Sequence, residues 1–195
     1  MPQKKSYHHG DLLQSLIDAA LDLIAEKDVT DVSLREIARR VGVSHTAPYR
    51  HFADKEALLA AVAQEGFLRF RQSIEEAMEP VVDPLERLEA GCFSYLRYAA
   101  KHPSRYRIMF GMQGISEGKN NSAIAALARD IYSPFTIAIG EGQSAGVIRN
   151  GDPQQIAQTV WALMHGLTML RMHGQLERGE DEAIASLHLL VKPSQ

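Results

Sequence analysis

The spacing of apolar residues is the feature that most constrains the fold of this chain. Between residues 11 and 27, leucine, isoleucine and alanine recur every three or four positions, with acidic residues between them. This period is typical of an amphipathic helix that buries one face. Similar patterns recur along most of the 195 residues, and the two-residue alternation typical of strands is nearly absent. We therefore predict an all-α fold.

Residues suited to begin and end helices divide this pattern into segments. Ser33 is suited to cap a second helix that stops at Gly42, and Ser44 a short third helix over residues 45 to 51. Asp54 is suited to cap a fourth helix that runs to Met78. Later helices are predicted at residues 85 to 101, 103 to 112, 122 to 144, 153 to 173 and 180 to 191. We expect an N-terminal three-helix bundle over residues 1–55 and a larger helical domain over residues 56–195.

Composition narrows the class of protein. The chain is 45% hydrophobic and 23% charged, which is typical of a soluble globular protein. The N-terminal MPQKKSYHHGD contains no apolar run of secretory-signal length, and no later stretch reaches the roughly 18 apolar residues of a membrane helix. We expect a cytoplasmic protein without membrane association. The single cysteine, Cys92, cannot form an intramolecular disulfide and is expected to be a buried apolar residue.

Residues 33 to 52 have the spacing of a helix-turn-helix, in which two short helices are joined by a turn containing glycine. Ala38 is small where the helices would cross, and Phe52 supplies an apolar anchor. In this motif the second helix enters the major groove of DNA. Residues 33 to 55 hold five Lys or Arg against two acidic residues, although the whole chain carries -3. The alternative is an ordinary helical hairpin with solvated charges.

The same segment resembles a known family. The pattern T-x-x-S-L-R-E-I-A-x-x-V-G-V-S from Thr30, followed by Y-x-H-F-x-x-K-E-x-L from Tyr49, resembles the signature of TetR transcriptional regulators. The pattern Trp161-x-x-x-His165-Gly166 resembles a WHG-type C-terminal subgroup of that family. The resemblance implies a homodimeric repressor that binds palindromic operator DNA and is released by an apolar or amphipathic small molecule. A DNA-binding architectural protein without an effector is the alternative.

The resemblance also implies roles for individual residues. Phosphate-facing positions are Tyr49, His51 and Lys55, helix starts near the DNA backbone are Ser33 and Ser44, and base-facing positions are His45, Thr46, Ala47 and Arg50. Pro48 departs from the family pattern, in which an apolar residue such as leucine is common. Because a proline restrains the preceding residue away from helical angles, we expect the third helix to begin nearer Ala47 than Ser44.

The C-terminal helices carry the residues predicted for a ligand site and for dimerisation. The ligand site is predicted at Phe93, Tyr98, Phe110, Tyr132, Trp161, Met164 and His165, and ordinary core packing is the alternative for each of them. Trp161 and His165 stand one helical turn apart and make the best pair. The dimer is expected to form through Ile156, Val160, Leu163, Leu167, Leu170, Ile184, Leu187 and Val191, packed as a four-helix bundle across a two-fold axis.

Two routes to catalysis lack support in the sequence. Residues 140 to 145, GEGQSA, match a dinucleotide-binding fingerprint in letters, but a helical pattern precedes them where a strand is required. The glycines are expected to end that helix instead. The histidines show neither Glu-x-x-His nor His-x-x-x-His spacing, and one cysteine cannot form a thiolate cluster. We predict that the protein is not an enzyme and has no cofactor or metal.

Overall fold

The structure, a computed structural model, describes residues 9–27, 29–111, 121–176 and 180–193. These residues contain helices and no strand, which confirms the predicted all-α fold. The helices are α1 (His9–Glu26), α2 (Leu34–Val41), α3 (Lys55–Met78), α4 (Pro84–Lys101), α5 (Pro103–Gly111), α6 (Asn121–Asp130), α7 (Ser133–Ser144), α8 (Pro153–Met172) and α9 (Glu180–Val191). Val29–Asp31 and Pro48–Arg50 form 3-10 helices. Over the described ranges, no helix is both long and apolar enough to cross a membrane.

Three predicted helix boundaries are confirmed by their hydrogen bonds. Ser33 has extended backbone angles, and its Oγ accepts from the Glu36 N–H at 3.3 Å. Asp54 Oδ1 accepts from the Ala57 N–H at 2.7 Å and so caps the start of α3. Gly42 ends α2 with φ 79°, a left-handed conformation that glycine adopts without the steric cost of a Cβ atom. These local signals are strong because each satisfies backbone groups that a helix end leaves unpaired.

The prediction of a single helix over residues 122 to 144 is wrong. The chain forms α6 and α7 there, separated by a turn at Ile131 and Tyr132. Pro134 lies in the first turn of α7, where its missing N–H leaves no helical hydrogen bond unmade. Farther into a helix, its ring would clash with the preceding turn. The apolar spacing runs through this break, and Pro134 is the signal that marks it.

Gly140 and Gly142 lie inside α7 and do not end it as predicted. α7 continues to Ser144, and the left-handed residue after it is Gly146, with φ 73°. A Cβ atom added at Gly142 would lie 2.6 Å from the Ile148 side chain. Gly142 therefore permits close packing of the following loop on the helix. The segment before these glycines is helical, as predicted.

The chain divides into two compact units, and the described residues of the first lie within Met1–Glu65 and Ser104–Asn121. In this unit α1 packs against α2. Leu16, Ala20, Ile37 and Ala38 are fully buried, so the small Ala38 is part of the core as the sequence predicts. Ion pairs join residues near the end of α1 to α2, with Lys27 Nζ 2.5 Å from the Glu36 carboxylate. Apolar burial and ion pairs together fix α2 against α1.

The described residues of the second unit lie within Gly66–Pro103 and Ser122–Gln195. Its central helix, α4, packs against α7, α8 and α9. On α4, Cys92 is fully buried, which confirms the sequence prediction, and burial raises the pKa of its thiol. The loop after α7 is tied to the end of α9, because the Arg149 N–H donates to Val191 O at 2.7 Å and Arg149 Nε donates to Leu190 O at 2.6 Å.

The residues predicted to form the dimer surface on α8 and α9 require a correction. Five of them are buried within the chain, with at most 8% of each residue exposed: Ile156, Val160, Ile184, Leu187 and Val191. Because a residue covered by its own chain offers no surface to a partner, these five serve the monomer core. Leu163 and Leu167 are half-buried, and Leu170 is 42% exposed. Leu189 on α9, which the sequence prediction omitted, is 87% exposed.

Candidate nucleic-acid interface and ligand site

The segment after α2 contains less helix than predicted. Residues 45–47 form a turn, and the 3-10 helix Pro48–Arg50 follows. Ala47 has helical angles, φ -61° and ψ -44°, immediately before the proline. The helix therefore begins at Pro48, which confirms the expectation that it starts nearer Ala47 than Ser44 and corrects the wider prediction of residues 45 to 51. The expectation that Pro48 keeps Ala47 out of the helical region is wrong. A proline is tolerated as the first helical residue because the N–H it lacks would have no partner there.

Ser44 closes a turn and does not cap a helix. Its carbonyl oxygen accepts from the Ala47 N–H at 3.0 Å, and its hydroxyl lies 3.1 Å from the Thr46 hydroxyl. Ser44, His45 and Thr46 are all exposed. The turn therefore presents two hydroxyls and an imidazole to the surface, groups that can hydrogen bond with phosphates or base edges.

The 3-10 helix places two predicted DNA-contacting residues side by side. Pro48 and Phe52 are buried, and the Phe52 N–H donates to Pro48 O at 2.9 Å. This inward pair orients the residues between them. Tyr49 is 52% exposed, Arg50 is also exposed, and His51 is half-buried with its ring centroid 6.4 Å from that of Phe52. Tyr49 and Arg50 thus extend a phenol and a guanidinium from the same 3-10 helix.

Three cations of residues 33 to 55 have partners within the protein. Lys55 Nζ donates to Thr30 O at 2.9 Å and ties the start of α3 to the loop after α1. An ammonium group can donate three hydrogen bonds, so Lys55 can donate to a second acceptor while it remains bonded to Thr30 O. The hydrogen bond from Arg40 lowers the pKa of Glu26 and raises that of Arg40, so both groups are charged at neutral pH. Arg39 also forms an ion pair, 3.7 Å from Glu36, but its side chain is 76% exposed.

The residues predicted for the ligand site fall into separate places. Phe110 belongs to the first unit, where its ring centroid lies 4.6 Å from that of Tyr106. Phe93 and Tyr98 line a groove of about 590 Å³ between α3 and α4. Met164 is fully buried in α8. The structure brings together Tyr132, Trp161 and His165.

These three side chains form an aromatic cluster on α8 and at the start of α7. The Trp161 and His165 rings stack with centroids 5.7 Å apart and planes 24° apart, and the Tyr132 ring lies 6.3 Å from Trp161. His165 Nδ1 is 3.5 Å from the hydroxyl of the buried Tyr95. Burial lowers the pKa of His165, because the imidazolium form loses solvation. The imidazole is therefore predominantly neutral at neutral pH.

Two polar residues beside this cluster were not predicted. Gln158 Nε2 donates to the Tyr132 hydroxyl at 3.2 Å. Thr168 is only 4% exposed, and neither its hydroxyl nor the buried Trp161 Nε1 has a hydrogen-bond partner among the described residues. Thr168 follows Trp161 by seven positions, which is about two helical turns and therefore the same side of α8. That spacing is the signal from which Thr168 could have been identified.

Comparison with known proteins extends over most of the chain. Residues 16–62 match the family described as bacterial regulatory proteins, tetR family, and residues 88–192 match a tetracyclin repressor-like C-terminal domain. A protein of unknown function from Rhodococcus sp. RHA1 is 33% identical, with 96% of this chain and 97% of that chain covered and a TM-score of 0.81.

Two further structures share the fold at lower identity. The TetR family transcriptional regulator PfmR from Thermus thermophilus is 24% identical over 90% of this chain and 96% of its own, with a TM-score of 0.73. AibR, in complex with isovaleryl coenzyme A and operator DNA, is 19% identical over 93% of this chain and 99% of its own, with a TM-score of 0.70.

Proposed function

The chain belongs to the TetR family of bacterial regulatory proteins, and on that basis we propose that it is a repressor that binds palindromic operator DNA as a homodimer and is released by a small molecule. The observation that carries this proposal is the exposed Tyr49–Arg50 pair on the 3-10 helix Pro48–Arg50. The family is one of transcriptional regulators, not of enzymes. We propose that residues 1–55 form the DNA-binding domain and residues 56–195 the ligand-binding and dimerisation domain.

In this proposal the turn and the 3-10 helix address the DNA. His45, Thr46, Ala47 and Arg50 face base edges, Tyr49, His51 and Lys55 face phosphates, and Ser33 and Ser44 lie beside the DNA backbone. Exposure supports the assignment most clearly for Arg50 and Tyr49. An Arg guanidinium can donate two parallel hydrogen bonds to guanine, whereas a phenol hydroxyl suits phosphate.

The proposed effector site is the cluster around Trp161. It combines flat aromatic surfaces with buried polar atoms, a combination typical of small-molecule sites. Helix α8 would connect the effector site to the dimer interface. Trp161 and His165 lie on one side of this helix, and Leu163 and Leu170 lie on the nearly opposite side. The structure of AibR contains both operator DNA and an acyl-coenzyme A, so in that protein the two ligands occupy one complex.

Fluorescence anisotropy tests the DNA-binding proposal. DNA upstream of the protein's own gene, cut into overlapping duplexes, should contain a roughly palindromic segment that binds more tightly than a shuffled duplex of equal length. Two protomers per bound site are expected, since a two-fold symmetric dimer reads two half-sites. Failure to prefer any duplex over its shuffled control would contradict the repressor proposal.

A thermal-shift screen followed by binding measurements tests the effector proposal. A compound that binds the native state raises the melting temperature by mass action. By linkage, an effector that weakens DNA binding by some factor must itself be weakened by saturating DNA by the same factor. A compound that binds at Trp161 with the same affinity in the presence of operator DNA would favour the alternative of a DNA-binding protein without this control.

A further inference from the structure

Three polar side chains lie in a row along one side of α8. Trp161, His165 and Thr168 occupy positions i, i+4 and i+7, and a helix rises about 1.5 Å per residue, so the row is roughly 10 Å long. Their angular positions fall within a sector of about 60° at 100° per residue. The row therefore forms a single strip beside the buried core positions Ala157 and Met164.

Both ends of this row carry buried hydrogen-bonding groups without a partner among the described residues. The indole Nε1–H of Trp161 can only donate, and the Thr168 hydroxyl can donate and accept. Buried polar groups in native proteins are nearly always paired, so two orphans on one helix side are unusual. The indole N–H of Trp161 is therefore available to donate to a hydrogen-bond acceptor of a ligand.

The centre of the row is already occupied by interactions inside the protein. His165 stacks on Trp161, and its Nδ1 faces the Tyr95 hydroxyl at 3.5 Å. Burial disfavours the imidazolium form and lowers the pKa of His165, so the ring at the centre of the row favours its uncharged form. Tyr95 and Tyr132, which contact the row, add hydroxyl and aromatic groups to it, and neither side chain can carry a positive charge.

We infer that the Trp161 site takes an uncharged, flat molecule that presents a carbonyl-type oxygen to Trp161 Nε1 and a second polar group toward Thr168. This inference rests on the proposed effector site and names the chemistry of its ligand. Aromatic rings at Tyr132, Trp161 and His165 provide the surfaces against which a flat ring packs. An anionic ligand is disfavoured because desolvating its charge requires a cationic or strongly donating partner.

The single tryptophan of the chain makes a direct test possible. In an amide and indole NMR spectrum of the full protein, Trp161 gives the one indole N–H signal. Acetophenone, ethylbenzene and benzoate present a neutral ketone, a hydrocarbon and an anion on the same ring. We expect acetophenone to shift the indole signal downfield and to bind at least about tenfold more tightly than ethylbenzene or benzoate, which corresponds to roughly 1.4 kcal/mol. Para-hydroxyacetophenone should bind more tightly still.

Two variants locate the effect. Trp161→Phe should abolish the preference for acetophenone over ethylbenzene, and Thr168→Val should abolish the gain from the para hydroxyl group. Thr159→Val is the matched control, because Thr159 lies exposed on the same helix with its hydroxyl bonded to Gln155 O. Equal binding of ketone and hydrocarbon, tighter binding of benzoate, absence of binding by all three probes, or an equal effect of Thr159→Val would overturn the inference.

The outcomes separate this inference from the proposed function. If acetophenone shows the expected preference but does not alter DNA affinity, the ligand chemistry stands and the effector role fails. If a charged compound at Trp161 releases DNA while the ketone preference is absent, the effector role stands and the inferred chemistry fails.

Discussion

The guanidinium of Arg40 donates two hydrogen bonds to the carboxylate of Glu26, at 2.9 and 2.6 Å. The pair joins the last turn of α2 to the last residue of α1. Two parallel bonds fix the relative orientation of the groups more strictly than one ammonium contact does. Since the side chains are 38% and 57% exposed, water and salt weaken the attraction. The pair therefore orients the helix-turn-helix more than it stabilises the fold.

A double-mutant cycle of Arg40→Met and Glu26→Gln measures how much the Arg40–Glu26 pair contributes to the free energy of unfolding. We expect a small coupling free energy at low salt, because exposed ion pairs contribute little, and a smaller coupling at high salt because ions screen the charges. Urea denaturation at both salt concentrations measures it. A coupling that is large and independent of salt would show that the pair acts as a desolvated unit.

The same carboxylate should make stability depend on pH. Its hydrogen bond from Arg40 lowers the folded-state pKa of Glu26 from the ordinary value of 4.5. A depressed folded pKa contributes stability that is present above 4.5 and lost as the pH falls through the folded value. The difference in unfolding free energy between the wild type and Glu26→Gln should therefore shrink in acid. Denaturation at pH 7 and at successively lower pH measures this difference, and growth of the wild-type advantage in acid would contradict the assignment.

Two glycine substitutions should have opposite effects on stability. Gly42 has φ 79° and nothing within 4 Å of an added Cβ, so Gly42→Ala should cost about 1 kcal/mol through backbone strain alone. Gly140 lies inside α7, also with nothing within 4 Å, so Gly140→Ala should stabilise by roughly 0.5–1 kcal/mol. Chemical denaturation of both variants measures the difference. Similar effects of the same sign would contradict the role of the left-handed angle.

Local signals in the sequence were sufficient for most helices. Ser33, Gly42 and Asp54 act through bonds to residues at most five positions away, so their roles can be predicted without the tertiary structure. Pro134 is an equally local signal for the start of α7. The apolar spacing continues across it, which is why the sequence predicted a single helix there. Gly142 could not be interpreted from local signals, because its close approach to Ile148 depends on how the loop after α7 folds back.

The candidate ligand site was less predictable because it depends on packing. Trp161 and His165 share a helix and their pairing follows from spacing, but the Tyr95 hydroxyl reaches His165 across 70 residues of sequence. Phe93 and Phe110 have the same chemistry as Tyr132, and the sequence does not distinguish an aromatic residue of the cluster from one elsewhere. The exposure of Leu189 and the burial of Leu187 likewise depend on the rotation of α9 against its neighbours.

Leu189 and Leu170 should carry the dimer contact if α8 and α9 form it. They are 87% and 42% exposed, and a charge at either would have to be buried in a partner interface. Leu189→Glu and Leu170→Glu should each shift the protein toward the monomer mass in sedimentation at micromolar concentration. Val82→Glu is the matched control, since Val82 is also 87% exposed but lies in the loop before α4. A dimer that survives both leucine changes, or is lost in the Val82 variant, would place the interface elsewhere.

Arg50 and Lys55 should differ in what their loss does to DNA recognition. The Arg50 side chain is exposed on the 3-10 helix, where its guanidinium can bond guanine bidentately, a contact worth roughly 1–3 kcal/mol of discrimination. Arg50→Ala should therefore reduce the preference for operator over shuffled DNA. Lys55 already donates to Thr30 O, and a phosphate contact from its remaining donors would be independent of sequence. Lys55→Gln should weaken binding to both operator and shuffled DNA, and it should lower the slope of log affinity against log salt by about one per protomer.

Anisotropy titrations at several salt concentrations measure the effects of both variants, and the exposed Lys192→Gln is the charge control. If Arg50→Ala weakens all DNAs equally while Lys55→Gln changes the preferred sequence, the division of this segment into base-reading and phosphate-binding residues is wrong.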